Sequence, residues 1–123
     1  MKINYQSLEK KIDLKFKNKD LLIQALTHKS FNPNENNEKI EFLGDRVLGL
    51  VIAKKLLEIY PEEKEGILDK KFASLVNKKT CLDIAKKINL ASYVKTFNPN
   101  NKKIKIEDKI ISDSCEALIG AIY

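Results

Sequence analysis

Two pairs of acidic residues lie at helical spacing inside the most apolar segments of the sequence. Glu41 and Asp45 are four residues apart in NEKIEFLGDRVLG (37–49), and Asp113 and Glu116 are three residues apart in DSCEALIGAIY (113–123). Residues at these spacings share one helix face, so each pair presents two carboxylates together. Because an apolar helix buries its apolar face, four such carboxylates in one pocket need a compensating cation. Hard divalent cations prefer oxygen ligands, so the pattern predicts a Mg²⁺ site that can engage phosphate oxygens.

Ordinary solvated acids on amphipathic helices are the alternative interpretation, and the residue types alone leave both open. Glu38 lies on the same predicted helix face as the first acidic pair. Gly44 and Gly49 interrupt that segment, although each glycine costs a helix about 1 kcal/mol relative to alanine. We expect these two glycines to allow the two acidic helices to approach closely, as a shared pocket requires.

The rest of the composition limits the kinds of chemistry available. His28 is the only histidine, so a histidine-based triad or acid–base pair is poorly supplied. Cys81 and Cys115 lie far apart without a CxxC motif, which indicates two buried structural thiols and no zinc site. The net charge is +6, and basic residues predominate before residue 31 and after residue 66. The lysine pairs at 70/71, 78/79, 86/87 and 102/103 are candidates for phosphate contact, with solvated positions as the alternative. Such a field favours a polyanion such as nucleic acid, although a lysine-rich solvated surface fits the composition equally well.

The elements that must position the acidic residues are predicted to be helices. Asn18 is well placed to cap the second of them. The segments 31–38 and 96–108 have the polar composition of loops, and KKIKI (102–106) is too short for a convincing strand. Apolar residues recur at helical spacing in 4–16, 18–28, 37–60, twice within 67–90, and in 109–123.

Length and hydropathy predict one globular domain in the cytoplasm. A chain of 123 residues fits a single domain. No apolar run approaches the roughly 18 residues that a membrane span needs, so we expect no membrane association. The N-terminal segment has lysines but no apolar core typical of a signal peptide.

Four segments together resemble the ribonuclease III family. NEKIEFLGDRVLG resembles the signature of that family, and DSCEALIGAIY resembles its second block. LLIQALTHKSF (21–31) and EGILDKKFASLVNKKTCLDIAKKINL (65–90) are similar to its N-terminal and central regions, in the same order. The resemblance implies an all-α ribonuclease III endonuclease domain-like helical bundle over residues 1–123. It also implies a truncated C-terminal end and no double-stranded-RNA-binding domain in this chain.

The resemblance assigns roles residue by residue. It implies four metal ligands: Glu41, Asp45, Asp113 and Glu116. It implies that Asp45 and Glu116 are catalytic. Glu38 and Glu65 match two further acids that lie toward the RNA groove and the dimer partner. Phe42 matches an aromatic residue at the dimer interface, whereas its apolar surroundings alone would place it in the core.

Two basic residues remain open between a functional and a solvated position. Arg46 stands where the family most often has serine, and it could pair with a carboxylate or a phosphate. Lys109 lies four residues before Asp113 and could reach a phosphate of the substrate. For both residues, a solvent-exposed side chain is the alternative.

The resemblance therefore implies a Mg²⁺-dependent endoribonuclease, with Mn²⁺ as a substitute, acting as a homodimer on double-stranded RNA. Expected products carry 5′-phosphate and 3′-hydroxyl ends with short 3′ overhangs, as in the processing of rRNA and mRNA precursors. The alternative is a non-catalytic RNA-binding or ribosome-associated module on the same fold. Such a module should have lost metal carboxylates, and all six acids are present here.

Overall fold

The fold is helical, as the apolar spacing predicts. A computed structural model describes residues 2–98 and 106–123. Within these ranges the only β-type pairing is an isolated bridge between Thr27 and Lys95. The helices are α1 (Tyr5–Ile12), α2 (Lys19–Ala25), α3 (Glu38–Ile59), α4 (Glu65–Leu75), α5 (Lys78–Lys87), a 3-10 turn (Leu90–Tyr93) and α6 (Asp108–Ile122).

Asparagine side chains cap the N-termini of three of these helices. The Asn18 side chain accepts a hydrogen bond from the backbone N–H of Leu21 at 3.1 Å, which confirms the predicted cap of α2. Asn4 and Asn77 act in the same way at the starts of α1 and α5.

Helix α1 ends four residues earlier than the predicted limit at residue 16. Asp13 adopts the left-handed region with φ 53°, which stops the helix. The buried Glu9 carboxylate then accepts the backbone N–H of Phe16 at 2.7 Å. This bond satisfies a backbone donor outside the helix and turns the Phe16 ring into the core.

Helix α6 is the central element and packs against α2, α3 and α5. A Cβ added to Gly44 of α3 would lie 1.6 Å from the carbonyl oxygen of Glu116, so only glycine permits this approach. Gly120 of α6 plays the same part against the carbonyl oxygen of Ile40. The prediction is therefore correct for Gly44 and wrong for Gly49, because Gly49 faces the Phe72 ring of α4 instead.

The core also contains two cysteines, one on α5 and one on α6. Cys81 of α5 and Cys115 of α6 are both free and buried, as predicted. Among the described residues, no helix combines the length and the apolar character that crossing a membrane requires. Most of the predicted loop 96–108, including nearly all of KKIKI, lies outside the described residues.

Candidate metal-binding and active site

Three of the four predicted metal ligands meet around one lysine. Lys78 Nζ donates to Asp113 Oδ1 at 2.7 Å and to Glu116 Oε1 at 2.8 Å. The same nitrogen lies 3.6 Å from Glu41 Oε1. Helix α3 thus supplies one carboxylate, α6 supplies two, and α5 supplies the ammonium group.

The fourth predicted ligand lies at the same cleft but has a different partner. Asp45 lines a cleft of about 230 Å³ together with Lys78, Cys81 and Glu116. Its carboxylate accepts a hydrogen bond from Arg46 Nη1 at 2.8 Å. Arg46 therefore contacts a carboxylate while 61% of its side-chain surface remains exposed to solvent, so both alternatives hold in part.

Lys78 is the residue of this cluster that the sequence analysis did not single out. The sequence showed only one lysine pair among several, and the acidic helices themselves offered few cations. A usable signal was present, because Lys78 precedes the buried Cys81 by three residues and so lies on the same face of α5. That face packs against α6, and this packing brings the Lys78 side chain close to the acids.

The pKa shifts reflect crowded charges. Partial burial, followed by the negative charge of Asp113, raises the pKa of Glu41. Burial works the same way on Asp113, but hydrogen bonds from Lys78 and Lys109 outweigh it and lower the pKa of Asp113. Burial opposes the charge of Lys78, yet its bonds to Asp113 and Glu116 raise the pKa of Lys78 above its ordinary value. The two lysines thus keep Asp113 ionised.

The donor chemistry of the cluster suits a hard divalent cation. All four predicted ligands offer carboxylate oxygens, which Mg²⁺ prefers, and the raised pKa of Glu41 reflects burial first and the negative charge of Asp113 second. As the side chains stand, no group of three His, Cys, Asp or Glu residues within 2–98 and 106–123 is arranged around a common metal position. The ammonium of Lys78 lies among these oxygens instead. The residues therefore fit such a cation in the chemistry of their donor atoms.

The remaining predicted residues are not among those that line this cleft. Lys109 Nζ donates to Asp113 Oδ2 at 2.9 Å, so it pairs with a carboxylate. Glu38 is exposed and lies 3.6 Å from Lys29 Nζ, and Glu65 is exposed at the first turn of α4. Neither acid lines the cleft. Phe42 is 62% exposed, so the assignment to the core that its surroundings suggested is wrong.

Comparisons with known sequences match one family along nearly the whole chain. A family model described as Ribonuclease-III-like matches residues 18–123. The Ribonuclease 3 of Pelagibacter ubique (strain HTCC1062) is 70% identical over 123 residues, which are 100% of this chain and 55% of that protein. The Ribonuclease 3 of Sulfurovum sp. (strain NBC37-1) is 43% identical over 121 residues, covering 98% of this chain and 54% of that protein. The chain thus spans about half the length of the curated relatives it matches.

Solved structures show the same fold. The nuclease domain of ribonuclease III from Campylobacter jejuni, described for structural flexibility in a region involved in dimer formation, matches with a TM-score of 0.87 and 43% identity. That match covers 97% of this chain and 84% of the other. Dicer from Pichia stipitis matches with a TM-score of 0.67 and 27% identity, over 88% of this chain and 46% of the other. From the family model and these relatives together, the chain belongs to the ribonuclease III-like family.

Proposed function

We propose that this chain forms the catalytic domain of an endoribonuclease that hydrolyses double-stranded RNA. The observation that carries the proposal is the convergence of acids from α3 and α6 at one cleft. Membership of a family whose relatives are named Ribonuclease 3 supports RNA as the substrate class. The proposed products carry 5′-phosphate and 3′-hydroxyl ends with short 3′ overhangs, and the proposed setting is the processing of rRNA and mRNA precursors in the cytoplasm.

The proposed metal ligands are Glu41, Asp45, Asp113 and Glu116, with Mg²⁺ as the ion and Mn²⁺ as a substitute. When bound, such an ion activates a water and stabilises the charge on the leaving 3′ oxygen. Burial of Glu116, which is 4% exposed, holds its carboxylate in one orientation toward the cleft. The hydrogen bond from Arg46 likewise orients Asp45 at the rim.

The proposed assembly is a homodimer formed through α3. This helix is apolar on several sides, yet few of its residues are buried in the monomer. Apolar side chains that remain exposed along it are Phe42, Leu43, Leu50, Val51, Leu57 and Ile59. A large exposed apolar patch marks an association surface. A two-fold axis would place two identical clefts on opposite strands of one duplex, so that both strands are cut.

The proposed recognition of RNA depends on phosphates and shape. An A-form duplex is read largely by shape, 2′-hydroxyls and phosphates, which suits a surface rich in lysine. Lys109 and Arg46 already pair with Asp113 and Asp45, so each can exchange a carboxylate for a phosphate at the cleft. Glu38 and Glu65 remain proposed acids on the side of the RNA groove and the dimer partner.

Glu116→Gln tests the proposed chemistry, since it keeps the size of the side chain and removes its charge. We expect near-complete loss of cleavage of long double-stranded RNA in Mg²⁺, with unchanged helical content and assembly. Glu35→Gln, at an exposed loop residue, is the matched control and should cleave as the unmodified chain does. EDTA should abolish cleavage by both active forms. Cleavage by Glu116→Gln at the unmodified rate under limiting Mg²⁺ would contradict the proposal.

A further inference from the structure

The ammonium group of Lys78 is shared by three carboxylates from two other helices. It lies at 2.7 Å from Asp113, 2.8 Å from Glu116 and 3.6 Å from Glu41. An ammonium has three N–H donors, and two of them bond to Asp113 and Glu116, whereas the contact with Glu41 is a longer ion pair. The group therefore neutralises part of a cluster that would otherwise bring like charges together in a partly buried cleft.

The backbone of Lys78 is fixed within helix α5, whereas its ammonium group can change position. Asn77 caps α5 immediately before it, and Cys81 is buried one turn after it. The lysine side chain itself is 58% exposed, whereas that of Glu116 is 5% exposed. The acids are thus held in place, and the flexible four-carbon stem of Lys78 can turn outward into solvent.

We propose that Lys78 is an internal counter-ion, which holds the carboxylates together before a divalent cation binds and competes with that cation for them. The proposal depends on the metal site proposed above. Lys78 engages Asp113 Oδ1 and Glu116 Oε1, and these are oxygens that a cation bound in the cluster needs. An ammonium and a divalent ion repel each other at such distances, so binding of the ion requires Lys78 to leave.

Two linked consequences follow for the protein without RNA. Removing the charge of Lys78 should leave Glu116 and Glu41 without their ammonium partner, with only Lys109 still bonded to Asp113, and so destabilise the metal-free fold. The same change should tighten binding of the divalent ion, because no ammonium has to be displaced. A lysine that only joins α5 to α6 would produce the first effect and not the second.

The first experiment measures Mn²⁺ affinity by titration, following the electron paramagnetic resonance signal of the free ion. Lys78→Met keeps an apolar stem and removes the charge, and Lys79→Met removes a charge from the adjacent exposed lysine as a control. We expect Lys78→Met to bind roughly tenfold more tightly than the unmodified chain, a typical strength for coupling between two ligands. Lys79→Met should change the affinity less than twofold.

The outcomes separate this inference from the proposed function. Equal or weaker binding of Mn²⁺ by Lys78→Met, relative to Lys79→Met, overturns the role of Lys78 and leaves the metal site standing. Absence of Mn²⁺ binding by every form overturns the metal site itself and the inference with it.

A second experiment uses the unmodified chain and does not depend on folding of a variant. Brief acetylation with an N-hydroxysuccinimide ester, mapped by mass spectrometry, reports how free each lysine amino group is. We expect Lys78 to be labelled several times faster in saturating Mn²⁺ than in EDTA, because the ion releases it from the carboxylates. Lys79 should be labelled equally in both. Unchanged or slower labelling of Lys78 in Mn²⁺ contradicts displacement.

Discussion

Two buried glutamates each form an ion pair with a lysine from a different helix. Glu116 is paired with Lys78, and Glu9 is paired with Lys19 at 2.5 Å. Glu9 also accepts the backbone N–H of Phe16, so one carboxylate fixes both a side chain and the turn after α1. These bonds, first that from Lys19 and then that from Phe16, lower the pKa of Glu9.

The lowered pKa of Glu9 predicts a pH-dependent contribution to stability. A carboxyl group with a lower pKa in the folded state stabilises the fold above its ordinary pKa, about 4.3 for Glu. This stabilisation is lost as the pH falls through the folded-state value. Glu9→Gln should therefore lower the free energy of unfolding at pH 7, and the difference from the unmodified chain should shrink below about pH 4.

Urea unfolding between pH 3 and 7 at one protein concentration measures this effect of Glu9→Gln. Glu35→Gln, at an exposed residue, should show little difference at any pH. A deficit for Glu9→Gln that is the same at pH 3 and pH 7 would show that shape, and not charge, explains the role of Glu9.

Helical spacing grouped the acids but left open whether they share a pocket or are solvated, and it did not identify their partners. The spacing placed Glu41, Asp113 and Glu116 on inward faces, and the structure brings these three together. Periodicity describes one helix at a time, however, and the position of Lys78 depends on how α5 packs against α6. The contact of Arg46 with Asp45 was one of two alternatives, because exposed rotamers are not determined by local sequence.

At the scale of elements, the contact between α3 and α6 depends on two glycines that face each other. Glycine inside a helix costs about 1 kcal/mol relative to alanine, so close backbone approach must offset this cost. Gly44 and Gly120 lie against backbone atoms of the opposite helix, which cannot move aside as a flexible side chain can. The sequence suggested this role for Gly44 but could not distinguish it from Gly49, since that requires knowing which helix lies opposite.

Gly44→Ala should destabilise the fold by about 3 kcal/mol or more, at the upper end of typical overpacking. Its Cβ would lie 1.6 Å from the carbonyl oxygen of Glu116, so α3 and α6 must separate. That separation also moves Glu41 away from Asp113, and Mn²⁺ affinity should fall with stability. Urea unfolding and Mn²⁺ titration provide the two measurements.

Two further glycines serve as controls for this substitution. Gly66→Ala meets no atom within 4 Å, and Gly49→Ala meets the Phe72 ring at an ordinary 3.5 Å. Both should be neutral or slightly stabilising, because alanine favours the helix. If Gly44→Ala were as stable as Gly66→Ala, the proposed role of backbone contact between α3 and α6 would be wrong.

Helix α3 has apolar residues on more of its faces than the rest of the monomer buries. Among its apolar residues, Ile40 and Leu56 are buried, whereas Leu50 and Val51 are largely exposed. A helix that is apolar all round is normally buried on all sides. Composition could not reveal this surplus, because an apolar residue in a sequence pattern is first assigned to the core. Only the family resemblance, which implied a position at a dimer interface, predicted that Phe42 lies outside the core.

The proposed dimer gives Phe42 a specific part, which Phe42→Ala tests. Its ring is 62% exposed, and the guanidinium of Arg46 lies over the ring at 4.2 Å from its centre. An aromatic side chain that fills a pocket in the centre of an interface contributes about 2–4 kcal/mol to binding. Phe42→Ala should therefore weaken the dimer by roughly 30-fold or more, while the stability of the monomer changes little.

Phe97→Ala is the matched control, because Phe97 is also 62% exposed and lies outside α3. Sedimentation over a concentration series should show dimers for the unmodified chain and for Phe97→Ala, and monomers for Phe42→Ala at the same micromolar concentration. A monomeric unmodified chain, or equal association of the two variants, would exclude Phe42 as the anchor of a homodimer.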